Sequence, residues 1–121
     1  MAHIELLDEK LEAVANLPHE GPVVMLNLLR FKGEAGRASF EKYMEHARPL
    51  GEKVGVRLMY AGAEQVSVIG PEQWDLVVLA EYPNRAAFPS LVQSAEYKAI
   101  IHYRNEALED SRLILTTAVS M

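Results

Sequence analysis

The chain has 121 residues, of which 50% are hydrophobic and 24% are charged, as expected for one ordinary soluble domain. Its formal net charge of −5 argues against nucleic acid as a partner, because binding to phosphates requires a basic surface. Cysteine is absent, which excludes disulfides, thiolate metal sites and cysteine nucleophiles and fits a reducing, cytoplasmic compartment.

The first twenty residues predict a helical extension. Ile4, Leu7, Leu11 and Val14 recur at helical spacing, and Pro18 ends the pattern. The acidic start lacks the basic segment of a signal peptide, and the chain has no apolar run of about 18 residues that predicts a membrane helix. We therefore expect no membrane partner.

The next segments predict a strand followed by a helix. Residues 23–31 are apolar at almost every position except Asn27 and Arg30, as in a strand buried on two faces. Residues 32–36 predict a loop, and residues 38–54 carry an apolar stripe at helical spacing. Pro49 is expected to kink or divide this helix.

The rest of the chain predicts a long strand with a bulge at Gly62, its hairpin partner, two helices and a last strand. In order these are residues 56–69, residues 74–82, a helix opening at Asn84, residues 95–109 and residues 112–119. Two successive β-α-β units predict an α+β, ferredoxin-like βαββαβ fold with a four-stranded antiparallel sheet and helices on one side. The chain is predicted to be one domain, 1–121, in which residues 1–20 are the extension and residues 22–119 the core.

The strands predict a homodimer through the sheet face. Val24, Leu26 and Leu28 lie on one face of the first strand, while further apolar side chains occupy the other. Helices on one side would leave several hundred Å² of apolar surface uncovered, which soluble monomers rarely tolerate. A second copy of the chain would cover it. The alternative is that the N-terminal helix covers that face.

The segments in this order resemble family DUF1330, a domain of unknown function within the dimeric α/β-barrel superfamily. The resemblance covers residues 22–119 and rests on residues 24–31, residues 43–47, Trp74, residues 81–83, Ala87, Phe88 and residues 95–97. It implies a ferredoxin-like subunit and a barrel formed by two sheets. Barrels of this type resemble cofactor-independent monooxygenases, isomerases and decarboxylases, and we expect no cofactor.

Arg104 and His46 are the two charged or titratable residues most suggestive of chemistry. Arg104 lies at the centre of an apolar helical stripe, where a permanent charge is costly unless it is paired. It predicts an anchor for the carboxylate of a small organic acid. The alternatives are a salt bridge to Glu81 or another acid, or a side chain that extends to solvent at the rim of the dimer. His46 borders the stripe of its own helix and is a candidate general acid or base, or an ordinary boundary residue.

Four further residues complete the predicted site. Asn27 interrupts a buried strand, so it either orients a carbonyl in the cavity or bonds a neighbouring backbone group. Tyr43, Tyr60 and Trp74 are candidate aromatic walls for a substrate, with packing as the alternative. No histidine pair has metal-ligand spacing with a third ligand in view, so no metal site is expected.

Three functions are compatible with these features. The first is an enzyme, oxygenase-like or isomerase-like, that acts on a small organic acid in the barrel pocket with His46 and Asn27 as catalytic residues. The second is a binding module that uses the same pocket without turnover. The third is a structural dimer whose barrel is filled by side chains.

Overall fold

The computed structural model describes residues 2–121. In chain order its elements are α1 (Asp8–Ala15), β1 (Val23–Phe31), α2 (Gly33–Lys53), β2 (Arg57–Ala63), β3 (Leu76–Tyr82), α3 (Ala87–Val92), α4 (Ala95–Lys98), α5 (Ile101–Ala107) and β4 (Leu108–Thr116). The strands form one antiparallel sheet in the order β2-β3-β1-β4. The predicted ferredoxin-like fold is therefore confirmed, with the helices packed on one face of the sheet.

Strand β1 is central in the sheet and has the bounds that its apolar run predicts. Its odd-numbered residues Val23, Met25, Leu29 and Phe31 are buried under the helices. Because successive side chains of a strand point to opposite faces, Asn27 shares that face with them. The central strand therefore presents an amide within an otherwise apolar surface.

Helix α2 begins earlier than predicted, and the expected loop at residues 32–36 is wrong. The helix starts at Gly33 and continues to Lys53, with Pro49 inside it and no division. Gly36 is buried in the first turns, where an ideal Cβ would lie 2.5 Å from the Ala107 carbonyl oxygen. The missing side chain lets α2 approach the junction of α5 and β4 closely.

Replacing Gly36 with Ala is expected to destabilise the protein by about 1–3 kcal/mol, because the new methyl group meets backbone that cannot easily move. Helix propensity alone would make alanine more stabilising than glycine by roughly 1 kcal/mol. The predicted change in stability therefore has the opposite sign to the change expected from helix propensity. Urea denaturation of the native and Gly36→Ala proteins measures the difference between their free energies of unfolding. Ala38→Gly on the exposed side of α2 is the control and should cost only the propensity term. A more stable Gly36→Ala protein would contradict the close approach.

Strand β2 is shorter than predicted, and its irregularity lies at a different residue. The pairing passes from Leu58 opposite Ala80 to Tyr60 opposite Leu79, which makes Met59 the bulge rather than Gly62. The strand ends at Ala63, and residues 64–75 connect it to β3. The predicted antiparallel hairpin of β2 and β3 is confirmed.

The predicted helix at residues 95–109 is divided, and the last strand starts before residue 112. Helices α4 and α5 are separated at Ala99 and Ile100, and β4 begins at Leu108 because it pairs with the end of β1 there. Helix α3 begins at Ala87, and the Asn84 side-chain oxygen accepts a hydrogen bond from the Ala87 amide at 3.0 Å, which is the bond that an N-cap side chain makes to the amide three residues on.

The N-terminal extension packs on the helical side of the sheet. Leu11 and Val14 of α1 contact the core cluster that contains Tyr82 and Phe88. The alternative in which this helix covers the second sheet face is therefore wrong. Between residues 2 and 121, no helix is both long and apolar enough to cross a membrane.

We define the second sheet face as the surface opposite the helices. Cross-strand register places Leu79 and Ile114 on either side of Leu26, and Val77 beside Leu28, all on this surface. Ile114 is 47% exposed, while at one end of this face Trp74 packs against Arg30 and Arg112 and is buried. The uncovered apolar face that the strand pattern predicts is present.

Candidate functional site

A cavity of about 1300 Å³ lies between the sheet and the helices. Strand residues of the covered face form its floor, and side chains of α2, α4 and α5 form its roof. Its lining includes Met25, Asn27, Leu29, Val78, Phe40, Tyr43, Tyr97 and Arg104. The walls are mainly apolar, with a few polar groups that point to specific recognition.

The N-terminal segment forms one wall of this cavity. The His3 amide donates to Asp110 Oδ1 at 2.8 Å, and Ser111 Oγ donates to the His3 carbonyl at 2.5 Å. Arg104 Nη1 donates to the Ile4 carbonyl at 3.1 Å. These contacts hold the segment across the end of the cavity where β4 begins, so the extension is part of the site.

Asp110 keeps its charge at this attachment point. Burial raises the pKa of its carboxyl, but hydrogen bonds from the His3 and Ser111 amides and from Arg112 outweigh burial and hold it at about 2. A carboxyl with a lowered pKa stabilises the fold above its unfolded pKa of about 4 and loses that contribution as the pH falls towards 2. The attachment is therefore insensitive to pH in the neutral range.

Arg104 is buried in the roof, with 8% of its surface exposed. Among residues 2–121, no carboxylate lies within 4 Å of its guanidinium. The predicted salt bridge to Glu81 is not formed, because Glu81 points to the second sheet face and pairs with Arg57 at 3.2 Å. The Nε and Nη2 groups of Arg104 have no hydrogen-bond partner in the described chain. Because every fully buried side-chain polar atom in that part of the chain has a partner, these two groups are not fully buried, and both reach the cavity space.

Two tyrosine hydroxyls meet in the roof. The Tyr43 and Tyr97 oxygens are 2.6 Å apart, and the two rings pack edge to face. Burial raises the pKa of both phenols, and for Tyr43 the neighbouring Tyr97 raises it further. For Tyr97 the hydrogen bond to Tyr43 and the charge of Arg104 offset part of the rise. Both hydroxyls therefore stay protonated at neutral pH.

Tyr82 and Asn27 place further polar groups on the floor. Burial raises the pKa of Tyr82, which keeps that phenol neutral. Asn27 lies between Val78 and Leu113 on the neighbouring strands, at the centre of the floor. Neither the Asn27 amide nor the Tyr82 hydroxyl has a hydrogen-bond partner within residues 2–121, and neither is fully enclosed. Both are free to bind a ligand.

His46 does not reach the cavity. It lies on the exposed side of α2, where its ring stacks on Tyr103 with the two centroids 5.8 Å apart and the planes at 11°. The structure does not bring His46 near Asn27 or Arg104 in the cavity lining. The position predicted for it inside the barrel cavity is therefore wrong.

Tyr60 and Trp74 also lie away from the cavity lining. Tyr60 is paired with Leu79 on the second sheet face and is 57% exposed. The Trp74 ring is covered by the guanidinium groups of Arg30 and Arg112, at 4.9 and 5.2 Å from its centroid. Of the six predicted site residues, the structure thus brings together Asn27, Tyr43 and Arg104.

Tyr82, Tyr97 and Ser111 belong to the site but were not among the predicted site residues. Tyr97 shares the helical stripe of Arg104, and Tyr82 alternates with Val78 along β3, so spacing alone could have indicated both. The sequence gives no such signal for Ser111, because its role is to bind residue 3, which is far away in the sequence and lies beside β4 only in the folded chain. Within residues 2–121, no group of three or more His, Asp or Glu side chains is placed to hold a metal ion.

The sheet order and the helical layer define an α+β protein of the ferredoxin-like class. The profile of the family described as Domain of unknown function (DUF1330) matches residues 35–118, and the chain belongs to this family. No curated protein matches the chain.

Solved structures show the same architecture. RPA0582, a protein of unknown function from Rhodopseudomonas palustris, is 32% identical, with 100% of both chains covered and a TM-score of 0.94. A dimeric protein of unknown function from Bacteroides fragilis is 16% identical over 78% of this chain and 94% of its own, with a TM-score of 0.57. SnoaB, a cofactor-independent oxygenase from Streptomyces nogalater, is 14% identical over 84% and 96%, with a TM-score of 0.61. The last two similarities concern the fold alone.

Proposed function

We propose that the cavity binds a small, largely apolar organic acid whose carboxylate is held by Arg104. The observation that carries this proposal is a buried guanidinium that faces the cavity and has no carboxylate partner among residues 2–121. A buried cation of this kind is costly, and an anion offsets the cost. The guanidinium fork suits a carboxylate, which can accept two parallel hydrogen bonds.

The other polar groups of the cavity are neutral. Tyr43, Tyr82 and Tyr97 are held protonated by burial, and Asn27 carries no charge. They can donate hydrogen bonds to the rest of a ligand without competing with it for Arg104. The cavity of about 1300 Å³ has room for a ligand of drug size, since such sites measure about 300–1000 Å³.

Turnover is the second candidate function. The fold shared with SnoaB, a cofactor-independent oxygenase, suggests oxygenase-like or isomerase-like chemistry, and Asn27 is placed to stabilise the oxygen of an enolate. His46 was expected to move the proton in such a reaction, but it lies on the outer side of α2. Binding is therefore the better supported function, because the cavity between the sheet and the helices of one subunit is open to a ligand.

Calorimetry with two probes of equal shape tests acid binding. We expect 4-phenylbutyrate to bind about 10- to 100-fold more tightly than the neutral 4-phenylbutanamide, because hydrogen bonds to a charged group contribute about 1.5–3 kcal/mol. Equal affinities for acid and amide would contradict the proposal. In D₂O, exchange of the protons beside the carboxylate would indicate isomerase-like turnover, while unchanged acid supports binding alone.

We further propose that a second copy of the chain covers the second sheet face. That face carries Leu26, Leu79 and Ile114 in one cross-strand row. An exposed row of large apolar side chains is typical of an interface, and a symmetric dimer is the commonest solution. The structural relative from Bacteroides fragilis is described as dimeric, which supports association of this chain as a dimer.

A further inference from the structure

We propose that the acid bound in the cavity carries a second oxygen, a carbonyl, which accepts a hydrogen bond from the Tyr43–Tyr97 hydroxyl pair. This inference rests on the proposed function, since Arg104 must hold the carboxylate. It adds the substrate class: small oxo acids rather than simple carboxylic acids.

The hydroxyl pair has one donor to spare. Two neutral phenols have two protons, and only one of them lies between the oxygens of Tyr43 and Tyr97, which are 2.6 Å apart. Elsewhere in residues 2–121 neither hydroxyl finds another hydrogen-bond partner. Both residues line the cavity that would hold the ligand, and we assign the remaining O–H to a group inside it. A donor left unpaired beside a bound ligand would cost binding energy.

A second neutral donor lies in the same part of the cavity. The Tyr82 hydroxyl also lacks a partner within residues 2–121, and Tyr82 belongs to the same core cluster as Tyr97. A carbonyl oxygen offers two lone pairs and brings no proton of its own, so it satisfies such donors directly.

The surrounding side chains favour a carbonyl over a hydroxyl on the ligand. Met25, Phe88 and Leu91 form the same cluster around the tyrosines and offer no acceptor. A ligand hydroxyl brings an additional proton that must turn to a phenol oxygen or to the Asn27 side-chain oxygen, whereas a carbonyl accepts from the free phenol donors and has no proton of its own to pair. The unpaired phenol protons are therefore matched best by an acceptor that is not also a donor.

Arg104 and the tyrosines act on one ligand from two directions. Arg104 lines the same cavity as Tyr43, Tyr82 and Tyr97, so one ligand can reach the carboxylate anchor and the hydroxyl groups. An acid with a carbonyl a few bonds away from its carboxylate can therefore contact both groups within the cavity.

Matched acids test this inference by calorimetry. The probes are 2-oxo-4-phenylbutyrate and 4-oxo-4-phenylbutyrate, compared with 4-phenylbutyrate and with 4-hydroxy-4-phenylbutyrate. We expect at least one oxo acid to bind about threefold to tenfold more tightly than 4-phenylbutyrate, as for one neutral hydrogen bond. The hydroxy acid should not share this gain.

The double variant Tyr43→Phe/Tyr97→Phe should lower the preference for the oxo acid over 4-phenylbutyrate, with Tyr82 as the remaining donor. Both tyrosines must be replaced, because a single remaining hydroxyl can turn its proton to the ligand. Tyr103→Phe is the matched control, since Tyr103 lies against His46 outside the cavity lining, and it should keep the preference.

Each outcome separates the inference from the proposed function. If the acids bind more tightly than the amide but oxo and plain acids bind equally to the native protein, the carbonyl inference is overturned and the anchor stands. Equal gains for the oxo and hydroxy acids would also overturn it. If no acid exceeds the amide, the proposed function itself fails. The comparison of probes on the native protein decides these cases even if the double variant does not fold.

Discussion

Replacing Arg104 with Met is expected to lower the affinity for 4-phenylbutyrate by about 10- to 100-fold and to leave the affinity for 4-phenylbutanamide nearly unchanged. Methionine fills much of the same apolar space but removes the buried charge and its free N–H groups. Calorimetry on the two probes measures the effect. The loss should fall on the acid alone, because only the carboxylate uses the guanidinium.

Two further variants make the result specific. Arg104→Lys keeps the charge without the planar fork and should give an intermediate loss. Arg37→Met removes an exposed arginine that lies over the Phe31 ring outside the cavity, and it should change neither affinity. Urea denaturation of each variant shows whether the loss of the Arg104–Ile4 contact lowers stability as well. An Arg104→Met protein that binds the acid with native affinity would contradict the anchor.

Replacing Leu26 with Glu is expected to disrupt the proposed dimer and to leave a monomer. Leu26 lies at the middle of the second sheet face, between Leu79 and Ile114. In a symmetric dimer the substitution occurs twice, so two unpaired carboxylates would be buried and the dissociation constant should rise by more than about 100-fold. Sedimentation velocity over a range of concentrations measures the change.

Lys42→Glu on the exposed side of α2 is the control for the dimer variant. It introduces the same carboxylate away from the second sheet face and should leave the association unchanged. Native protein that sediments as a stable monomer at micromolar concentration would contradict the dimer. Acid binding by a monomeric Leu26→Glu protein would show that the cavity functions within one subunit, as its lining indicates.

The strand pattern predicts the sheet well and the facing of individual residues less well. Strand β1 is predicted with its observed bounds because apolar side chains on both faces are unusual outside a covered sheet. That same pattern gives no indication of which face lies under the helices. The alternation along β1 predicts which residues share a face with Asn27. Only the position of the helices shows that this face is the floor of the cavity.

Tyr60 shows how a single bulge changes the outcome. Leu58 lies on the cavity side of β2, and without an irregularity Tyr60 would point the same way. The bulge at Met59 shifts the pairing by one residue and turns Tyr60 to the second sheet face. Alternation along the sequence could not reveal this, because the signal for a bulge was sought at Gly62.

His46 shows the corresponding difficulty on a helix. Ala47 lines the cavity, and the preceding residue is rotated by about 100°, which is enough to reach the outer side of α2. A residue at the border of an apolar stripe can therefore face either way, and its helix neighbours decide. Arg104 was predictable because it lies at the centre of its stripe, where a change of a few tens of degrees keeps it buried.

A crystal structure with bound 4-(4-bromophenyl)butyrate tests the central claim most directly, since anomalous scattering locates the bromine independently of the carboxylate. We predict the bromophenyl ring between the helices and the sheet, with both carboxylate oxygens within hydrogen-bond distance of the Arg104 guanidinium. An acid bound elsewhere on the protein, or one inside the cavity with its carboxylate turned away from Arg104, would contradict the account.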